Sequence, residues 1–276
     1  MLKGGTALNL FWWDCPRLSV DLDLNYLGVP LEQMRAEKPQ VTAALEGIAR
    51  AGKYHIQYGK PEHSSVKLHL QFNSALLRAF DHVELDINFL MRACLFKPQQ
   101  RLCKLYRNAP LSFSVLALEE VMAGKITAML DRAAPRDLYD MFRFASSSES
   151  FDEIRLRQAF LLFTATGLPL PVWKYDVSRL SRITEESIER ELWPLLAGND
   201  RPSLAEMLAA VSPLVTRLLE LSQTERAFAE SVQAGEPDTS LLFPKDAALA
   251  KLAATHPALL WKVKNVREHL GRDGGK

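Results

Sequence analysis

Residues 3–25 read KGGTALNLFWWDCPRLSVDLDLN, and this stretch decides the fold. It begins with a glycine pair and a hydroxyl residue, Gly4-Gly5-Thr6, and continues as a short helical pattern. Glycines let the main chain approach a phosphate closely, and a helix N-terminus offers unpaired N–H groups to an anion. Asp21 and Asp23 stand two residues apart on a predicted strand, so both carboxylates point to one side. The stretch therefore predicts a phosphate-binding turn followed by an acidic strand.

Alternating apolar and polar residues predict a mixed sheet of half-buried strands. The predicted strands are Ser19–Asn25, Lys53–Tyr58, Ser65–Phe72 and His82–Phe89. On the last strand Asp86 is the preferred third carboxylate, but Glu84 lies on the same polar face and remains the alternative. Oxygen ligands on a rigid sheet suit Mg²⁺, which takes the rest of its shell from water and substrate phosphates. The sheet is therefore expected to carry a magnesium site.

Most of the remaining chain follows a helical pattern. The predicted helices are Leu31–Ala51, Leu118–Leu130, Arg136–Phe144, Phe151–Thr166, Glu185–Leu196, Ser203–Ala234 and Asp246–Leu270. A polar run, Ser146–Ser150, is the best candidate for a domain boundary. We therefore predict an α+β protein. A mixed β-sheet with flanking helices would form a catalytic domain over residues 1–145, and residues 146–276 would form a helical C-terminal domain.

Composition narrows the classes of function. The chain of 276 residues has 34 Lys and Arg against 33 Asp and Glu, so a uniformly basic coat for nucleic acid is excluded. No apolar run approaches the roughly 20 residues that cross a bilayer, so no membrane partner is expected. The three cysteines form no CxxC pair, which favours reduced thiols in a cytoplasmic protein over a disulfide framework or a zinc site.

A near-zero net charge still permits a local basic patch. Residues 92–107 read RACLFKPQQRLCKLYR and hold five Arg and Lys with no acidic residue. Such a stretch, with aromatic residues interleaved, can follow a phosphate backbone. An ordinary solvated hairpin explains it equally well, and the sequence leaves both interpretations open.

The order of glycine–hydroxyl turn, helix, acidic pair and further acidic strand resembles the nucleotidyltransferase superfold. More narrowly, KGGTAL at Lys3–Leu8 and R-x-S-x-D-L-D at Arg17–Asp23 resemble the AbiEii/MenT family, the nucleotidyltransferase toxins of type IV toxin–antitoxin and abortive-infection systems. The family's later K…R-x-x-x-R-D-x-x-D block is matched by Lys125, Arg132 and Arg136–Asp140. Family members usually carry further residues before the glycine pair, so either the start codon is assigned too late or this is a shortened version of the family.

The resemblance implies a role for each matching residue. Asp21 and Asp23 would be catalytic and would bind Mg²⁺, and the superfold adds Asp86 as the third metal ligand. Lys125, which would neutralise phosphate charge, and Asp137 would also be catalytic. The residues implied to contact the nucleotide are Lys3, Gly4, Gly5, Thr6, Ser19 and Arg136.

The resemblance also implies the reaction and its partners. The enzyme would move a nucleoside monophosphate from an NTP to an RNA acceptor, expected to be the tRNA 3′ end, and so inhibit translation. A cognate antitoxin is the expected partner, and DNA is not. Three alternatives stay open: transfer to a hydroxyl of a small molecule or protein, NTP binding without turnover, and a helical interaction protein whose acidic strand is incidental.

Overall fold

The computed structural model describes residues 1–19, 21–28, 30–60, 64–75, 78–105, 111–198 and 200–271. It divides into two compact units. The first comprises Met1–Asp14, Ser19–Cys94 and Gln99–Val115, and the second Cys15–Leu18, Leu95–Pro98 and Leu116–Lys276. Because the first unit carries the sheet and the second is helical, the predicted α+β class is confirmed. The predicted division into a catalytic domain 1–145 and a helical domain 146–276 stays a prediction.

The first unit is built on a four-stranded mixed sheet. Its elements are α1 (Gly4–Phe11), β1 (Leu22–Asn25), α2 (Leu31–Ala51), β2 (His55–Tyr58), β3 (Ser65–Ser74) and β4 (Ala79–Asn88). The strand order is β1-β4-β3-β2, with β1 parallel to β4 and the other neighbours antiparallel. All four predicted strands are present with shifted ends. The first begins at Leu22 rather than Ser19, and Val20 lies outside the described residues.

One face of this sheet forms the core of the first unit. Leu68, Leu85 and Ile87 are buried there with Met34 and Ala49 of α2. Fully burying an aliphatic side chain contributes about 1.5–3 kcal/mol, so this face fixes the register of the strands. Because side chains alternate along a strand, the polar residues between the buried ones lie on the opposite face.

A two-stranded hairpin completes the first unit and accounts for part of the basic stretch. Its strands are β5 (Gln99–Leu102) and β6 (Ser112–Val115), paired antiparallel. The Arg101 guanidinium lies 4.8 Å from the centre of the Trp12 ring, and its Nη1 donates to the Phe11 carbonyl at 3.2 Å. The Lys104 ammonium donates to the carbonyl of Trp12. These two cations therefore stabilise the C-terminal end of α1, as expected of a packed hairpin. Tyr106 and Arg107 lie outside the described residues.

The second unit is helical. Its elements are α3 (Leu118–Arg132), α4 (Pro135–Ala145), α5 (Glu153–Gly167), α6 (Glu185–Glu191), α7 (Leu204–Leu219), α8 (Gln223–Gln233), α9 (Ala247–Ala254) and α10 (Pro257–His269), with 3-10 turns at Val172–Lys174, Val177–Arg182 and Trp193–Leu195. Helix α3 packs against α4 and α5, and α4 packs against α7. The buried side chains of α3 and α4 include Met122, Ile126, Met129 and Leu138. The helices predicted from Leu118 and Arg136 are therefore confirmed.

Three helices predicted for the second half were wrong in their extent: caps divide two of them, and the third ends early and is followed by the 3-10 turn Trp193–Leu195. The pattern Ser203–Ala234 is two helices, α7 and α8. The Ser222 hydroxyl accepts from the Glu225 N–H, and the Glu225 carboxylate accepts from the Ser222 N–H. This capping box begins α8 as a separate helix. The pattern Asp246–Leu270 is likewise divided, because the His256 ring caps α10 and Pro257 is its first residue. The pattern from Glu185 ends as a helix at Glu191.

Candidate active site

The first residues of the chain fix the glycine turn to the acidic strand. Leu2 forms an antiparallel bridge with Leu24 of β1. The Lys3 N–H donates to the Asp23 carbonyl at 2.8 Å, and the Met1 amino group donates to the Asn25 carbonyl at 2.7 Å. The start of α1 is therefore held beside β1 by main-chain contacts.

Gly4, the first residue of α1, is where the turn meets the acidic strand. Its φ of +71° lies in the left-handed region that favours glycine. A Cβ added at this position would lie 2.5 Å from the Asp23 Oδ2, closer than any van der Waals contact. The conformation therefore favours glycine here, and the absence of a side chain lets the Asp23 carboxylate lie against the first turn of α1.

Thr6 holds the segment that carries the first aspartate. Its hydroxyl donates to the Asp21 carbonyl at 2.5 Å and lies 3.0 Å from the Ser19 Oγ. Thr6 itself is buried. The donor of Thr6 is thus occupied by the main chain of the acidic segment, which gives the residue a positioning role. Phosphate contacts by Thr6 and Ser19 stay predictions.

The third carboxylate predicted for the site lies next to the second. In the parallel pairing of β1 with β4, Asp23 stands directly opposite Asp86. Glu84 is the main partner of Lys67, whose ammonium lies 2.9 Å from the Glu84 Oε1 and 3.9 Å from the Asp86 Oδ2, and the His69 Nδ1 lies 3.7 Å from the Glu84 Oε2. Between the two candidates that the sequence left open, the register favours Asp86 as the companion of Asp23.

The second unit contains a buried ionic network. The Lys125 ammonium lies 3.1 Å from the Asp137 Oδ1 and 2.7 Å from the Asp140 Oδ2. Arg132 binds Asp137 through two nitrogens, at 2.6 and 3.0 Å. Arg17 also makes a bidentate contact: its Nε donates to the Asp140 Oδ1 at 2.7 Å and its Nη2 donates to the Asp140 Oδ2 at 2.8 Å. Both carboxylates, which lie on α4, are fully buried and are fixed by two cations of α3 and by Arg17 from the segment before β1.

The network sets the protonation of its members. Burial alone would lower the pKa of Lys125, but the charges of Asp140 and Asp137 outweigh it and hold this pKa above its ordinary value. Burial alone would raise the pKa of Asp137, but Lys125 and Arg132 outweigh it and hold this pKa below its ordinary value. Lys125 is therefore a fixed cation rather than a proton acceptor.

Residues 1–243 match the family model described as "Nucleotidyl transferase AbiEii toxin, Type IV TA system". The chain belongs to this AbiEii family. It is accordingly a nucleotidyltransferase of the type IV toxin–antitoxin class, a class that implies an NTP substrate and a partner antitoxin. No curated protein shows detectable similarity to it.

Two solved structures share the fold of this AbiEii protein. MenT4, the nucleotidyltransferase toxin Rv2826c from Mycobacterium tuberculosis H37Rv, aligns with a TM-score of 0.62 at 20% identity, covering 94% of this chain and 84% of that chain. JHP933 from Helicobacter pylori aligns with a TM-score of 0.51 at 17% identity, covering 85% of this chain and 88% of that chain. At these identities the likeness supports the fold alone.

The residues predicted for the AbiEii site fall into two groups. Lys3, Gly4, Gly5, Thr6, Ser19, Asp21, Asp23 and Asp86 belong to the first unit, and Lys125, Arg136 and Asp137 to the second. Arg136 is exposed on α4. Arg17, for which the sequence predicted no role beyond its place in the motif, is the partner of Asp140. The signal was present, since Arg17 opens the same motif that ends at Asp23. The catalytic and binding roles of these residues stay predictions.

The acidic strands suit a hard divalent cation. Among the described residues, no three His, Cys, Asp or Glu side chains are grouped closely enough to hold a metal by themselves. Mg²⁺ does not need such a cage, because one or two carboxylates suffice when water and substrate phosphates complete the shell. Asp23 and Asp86, in register on neighbouring strands, meet that requirement. In the described part of the chain, no helix is long and apolar enough to cross a membrane.

Proposed function

We propose that this AbiEii enzyme transfers a nucleoside monophosphate from an NTP to the 3′-hydroxyl of RNA, with the tRNA 3′ end as the acceptor. The observation that carries the proposal is the placement of Asp23 beside Asp86 and against Gly4 at the start of α1. This arrangement puts metal-binding carboxylates next to a helix N-terminus suited to phosphate. Transfer to a tRNA end would block aminoacylation and so inhibit translation.

The reaction is a displacement at the α-phosphorus. The acceptor hydroxyl oxygen forms a bond to that phosphorus, and the bond to the oxygen bridging the α- and β-phosphates breaks, so its electron pair leaves with pyrophosphate. We assign the hydroxyl proton to the Asp86 carboxylate. Asp23 and Asp86 would hold Mg²⁺ together with water and the substrate phosphates, and the family motif adds Asp21 as a ligand in the nucleotide-bound state. The ion would supply charge neutralisation and lower the pKa of the attacking hydroxyl.

The nucleotide is held by groups at the glycine turn. The main-chain N–H groups of Gly4 and Gly5 begin α1, where the helix dipole favours an anion. Lys3 and Thr6 flank them, Ser19 lies 3.0 Å from the Thr6 hydroxyl, and all three are assigned to the triphosphate. For the second unit, the family motif assigns Lys125, Asp137 and Arg136 to charge neutralisation, catalysis and nucleotide binding respectively.

Two further expectations come with the family. A cognate antitoxin is proposed to act either as a repressor of the toxin gene or as an enzyme that counters the toxin. The cytoplasm, where tRNA is available, is the proposed compartment. Neither expectation depends on which NTP is used.

Incubation with each α-labelled NTP, Mg²⁺ and total cellular RNA tests the proposal. We expect label to move from one NTP to an RNA band of tRNA size, and the label to be lost after removal of the 3′-terminal nucleotide. Asp21→Asn with Asp23→Asn should abolish transfer. Asp81→Asn is the matched control, because Asp81 is an odd-numbered residue of β4 and so faces away from Asp86.

The same experiment separates the alternatives. Label recovered on protein or on a small molecule would replace RNA as the acceptor. Binding of an NTP without transfer to any acceptor would indicate a sensing module. Growth inhibition that survives the Asp21→Asn, Asp23→Asn double variant would contradict an enzymatic toxin.

A further inference from the structure

The polar face of the four-stranded sheet continues well beyond the carboxylates. Starting at Asp86 and moving back along β4, the residues on this face are Glu84, His82 and Phe80. Their neighbours on β3 are Lys67, His69, Gln71 and Asn73, and His55 follows on β2. At about 3.4 Å per residue, Phe80 lies roughly 20 Å along the strand from Asp86.

Four rings lie along the far part of this face. The rings of His69 and His82 have centroids 5.6 Å apart and are tilted by 66°, and those of His55 and Phe80 have centroids 6.4 Å apart and are tilted by 76°. Phe80 is 65% exposed, and His55 and His82 are exposed as well. Folding does not require these rings on the surface, because the core of the unit lies on the opposite face of the sheet.

The charges on this face suit a polyanion. Lys67 lies 2.9 Å from Glu84, so the carboxylate next along β4 from Asp86 is neutralised. Farther along, the side chains are imidazoles, amides and one phenyl ring, none of which carries a negative charge. A strand of phosphates can therefore run along the face without meeting uncompensated negative charge before it reaches Asp23 and Asp86.

Exposed rings on a four-stranded sheet are a known way to bind unpaired bases, since every base offers a face for stacking. We propose that this ring-lined face, defined by His55, His69, Phe80 and His82, binds the unpaired 3′ end of the RNA acceptor. Two or three bases stack on its rings, and the terminal hydroxyl leads toward Asp86. The inference rests on the proposed function and adds the acceptor-binding surface.

Binding of RNA in the absence of NTP tests the surface apart from catalysis. The probe is a fluorescein-labelled single-stranded RNA of about ten nucleotides, compared with a blunt duplex of the same sequence. We expect Phe80→Ala with His82→Ala to weaken single-strand binding about tenfold to a hundredfold. Tyr58→Ala is the matched control, because Tyr58 is 61% exposed on the same sheet but its hydroxyl donates to Glu46 of α2 on the opposite face. It should bind the probe as the parent protein does.

Two further measurements keep the outcome interpretable. The thermal unfolding midpoint of the double variant should match that of the parent protein, because both side chains are exposed. Phe80→Tyr keeps an aromatic ring at this position. It should bind the single-stranded RNA as the parent protein does, because stacking needs only the ring.

Several results would overturn the inference. The first is unchanged single-strand binding by the double variant. The second is equal or tighter binding of the blunt duplex. The third is weakened NTP binding with RNA binding intact, which would make the face a nucleotide-binding site. These failures are distinguishable from failure of the proposed function. Label transfer to RNA at the parental rate by the double variant would contradict only the proposed RNA-binding face. Absence of transfer by the parent protein with every NTP would contradict the proposed function.

Discussion

The carboxylates of the two units have contrasting surroundings. In the first unit, Asp23 and Asp86 stand opposite each other on neighbouring strands, so like charges are placed in register. In the second unit, Asp137 and Asp140 are fully buried, and each is gripped by Lys125 and by an arginine. Like charges in register cost stability, so removing one relieves repulsion, whereas removing one partner of a buried ion pair leaves an uncompensated buried charge.

The two pairs of carboxylates therefore differ in their expected contribution to the stability of the fold. Lys67, 3.9 Å from the Asp86 Oδ2, offsets part of the repulsion between the two facing carboxylates, and we expect a bound divalent cation to offset the rest. The buried network sets three cations against two carboxylates and gives Lys125 one fixed position and one fixed charge. Removing a carboxylate should therefore lower the free energy of unfolding when it belongs to the buried network and raise it when it belongs to the facing pair on the sheet.

The largest effect is expected from the buried network. Asp140→Asn leaves Arg17 buried without its carboxylate and removes one of two anions beside Lys125. Breaking such a pair costs about 3–5 kcal/mol of unfolding free energy, measured by urea denaturation. Glu32→Gln, at an ion pair whose carboxylate side chain is 81% exposed, is the control and should leave this free energy unchanged.

A double-variant cycle then identifies the partner. Arg17→Gln combined with Asp140→Asn should destabilise by much less than the sum of the two single variants, because both remove the same contact. Additive losses would contradict the pairing. A loss under about 1 kcal/mol for Asp140→Asn alone would show that the network is not a buried pair of the expected kind.

An intermediate effect is expected at the glycine turn. Gly4→Ala imposes a side chain at φ +71° and places its Cβ 2.5 Å from the Asp23 Oδ2. The backbone strain should cost about 1–3 kcal/mol, and the displaced carboxylate should slow nucleotidyl transfer by about a hundredfold. Urea denaturation and the transfer rate measure the two effects.

Gly124→Ala is the matched control for the turn. Gly124 lies within α3, and a Cβ there would meet nothing within 4 Å. Alanine should raise helix stability by up to about 1 kcal/mol and leave transfer unchanged. If the two variants changed stability and transfer in parallel, the special role of the Gly4–Asp23 contact would be refuted.

The sequence alone predicts an acidic site on the sheet but not the buried network. Strand alternation and a short motif act locally, so they place Asp21, Asp23 and Asp86 on predicted strands, and the register of Asp23 with Asp86 then follows from burying the apolar face. The pairing of Arg17 with Asp140 joins residues more than a hundred positions apart, and no local periodicity encodes such a contact. The helix breaks at Ser222 and Pro257 were predictable from capping chemistry, but apolar spacing continued across them.

The smallest effect should have the opposite sign. Asp23→Asn removes one of two like charges in register, so without divalent metal the unfolding free energy should rise by about 0.5 kcal/mol. The same variant should lose the increase in thermal midpoint that Mg²⁺ with NTP gives the parent protein, because a ligand stabilises only the state that binds it. Destabilisation comparable to that of Asp140→Asn would instead mean that Asp23 serves the fold. Stabilisation of the metal-free protein together with loss of the Mg²⁺ response is the combination that a cation-binding pair of carboxylates requires.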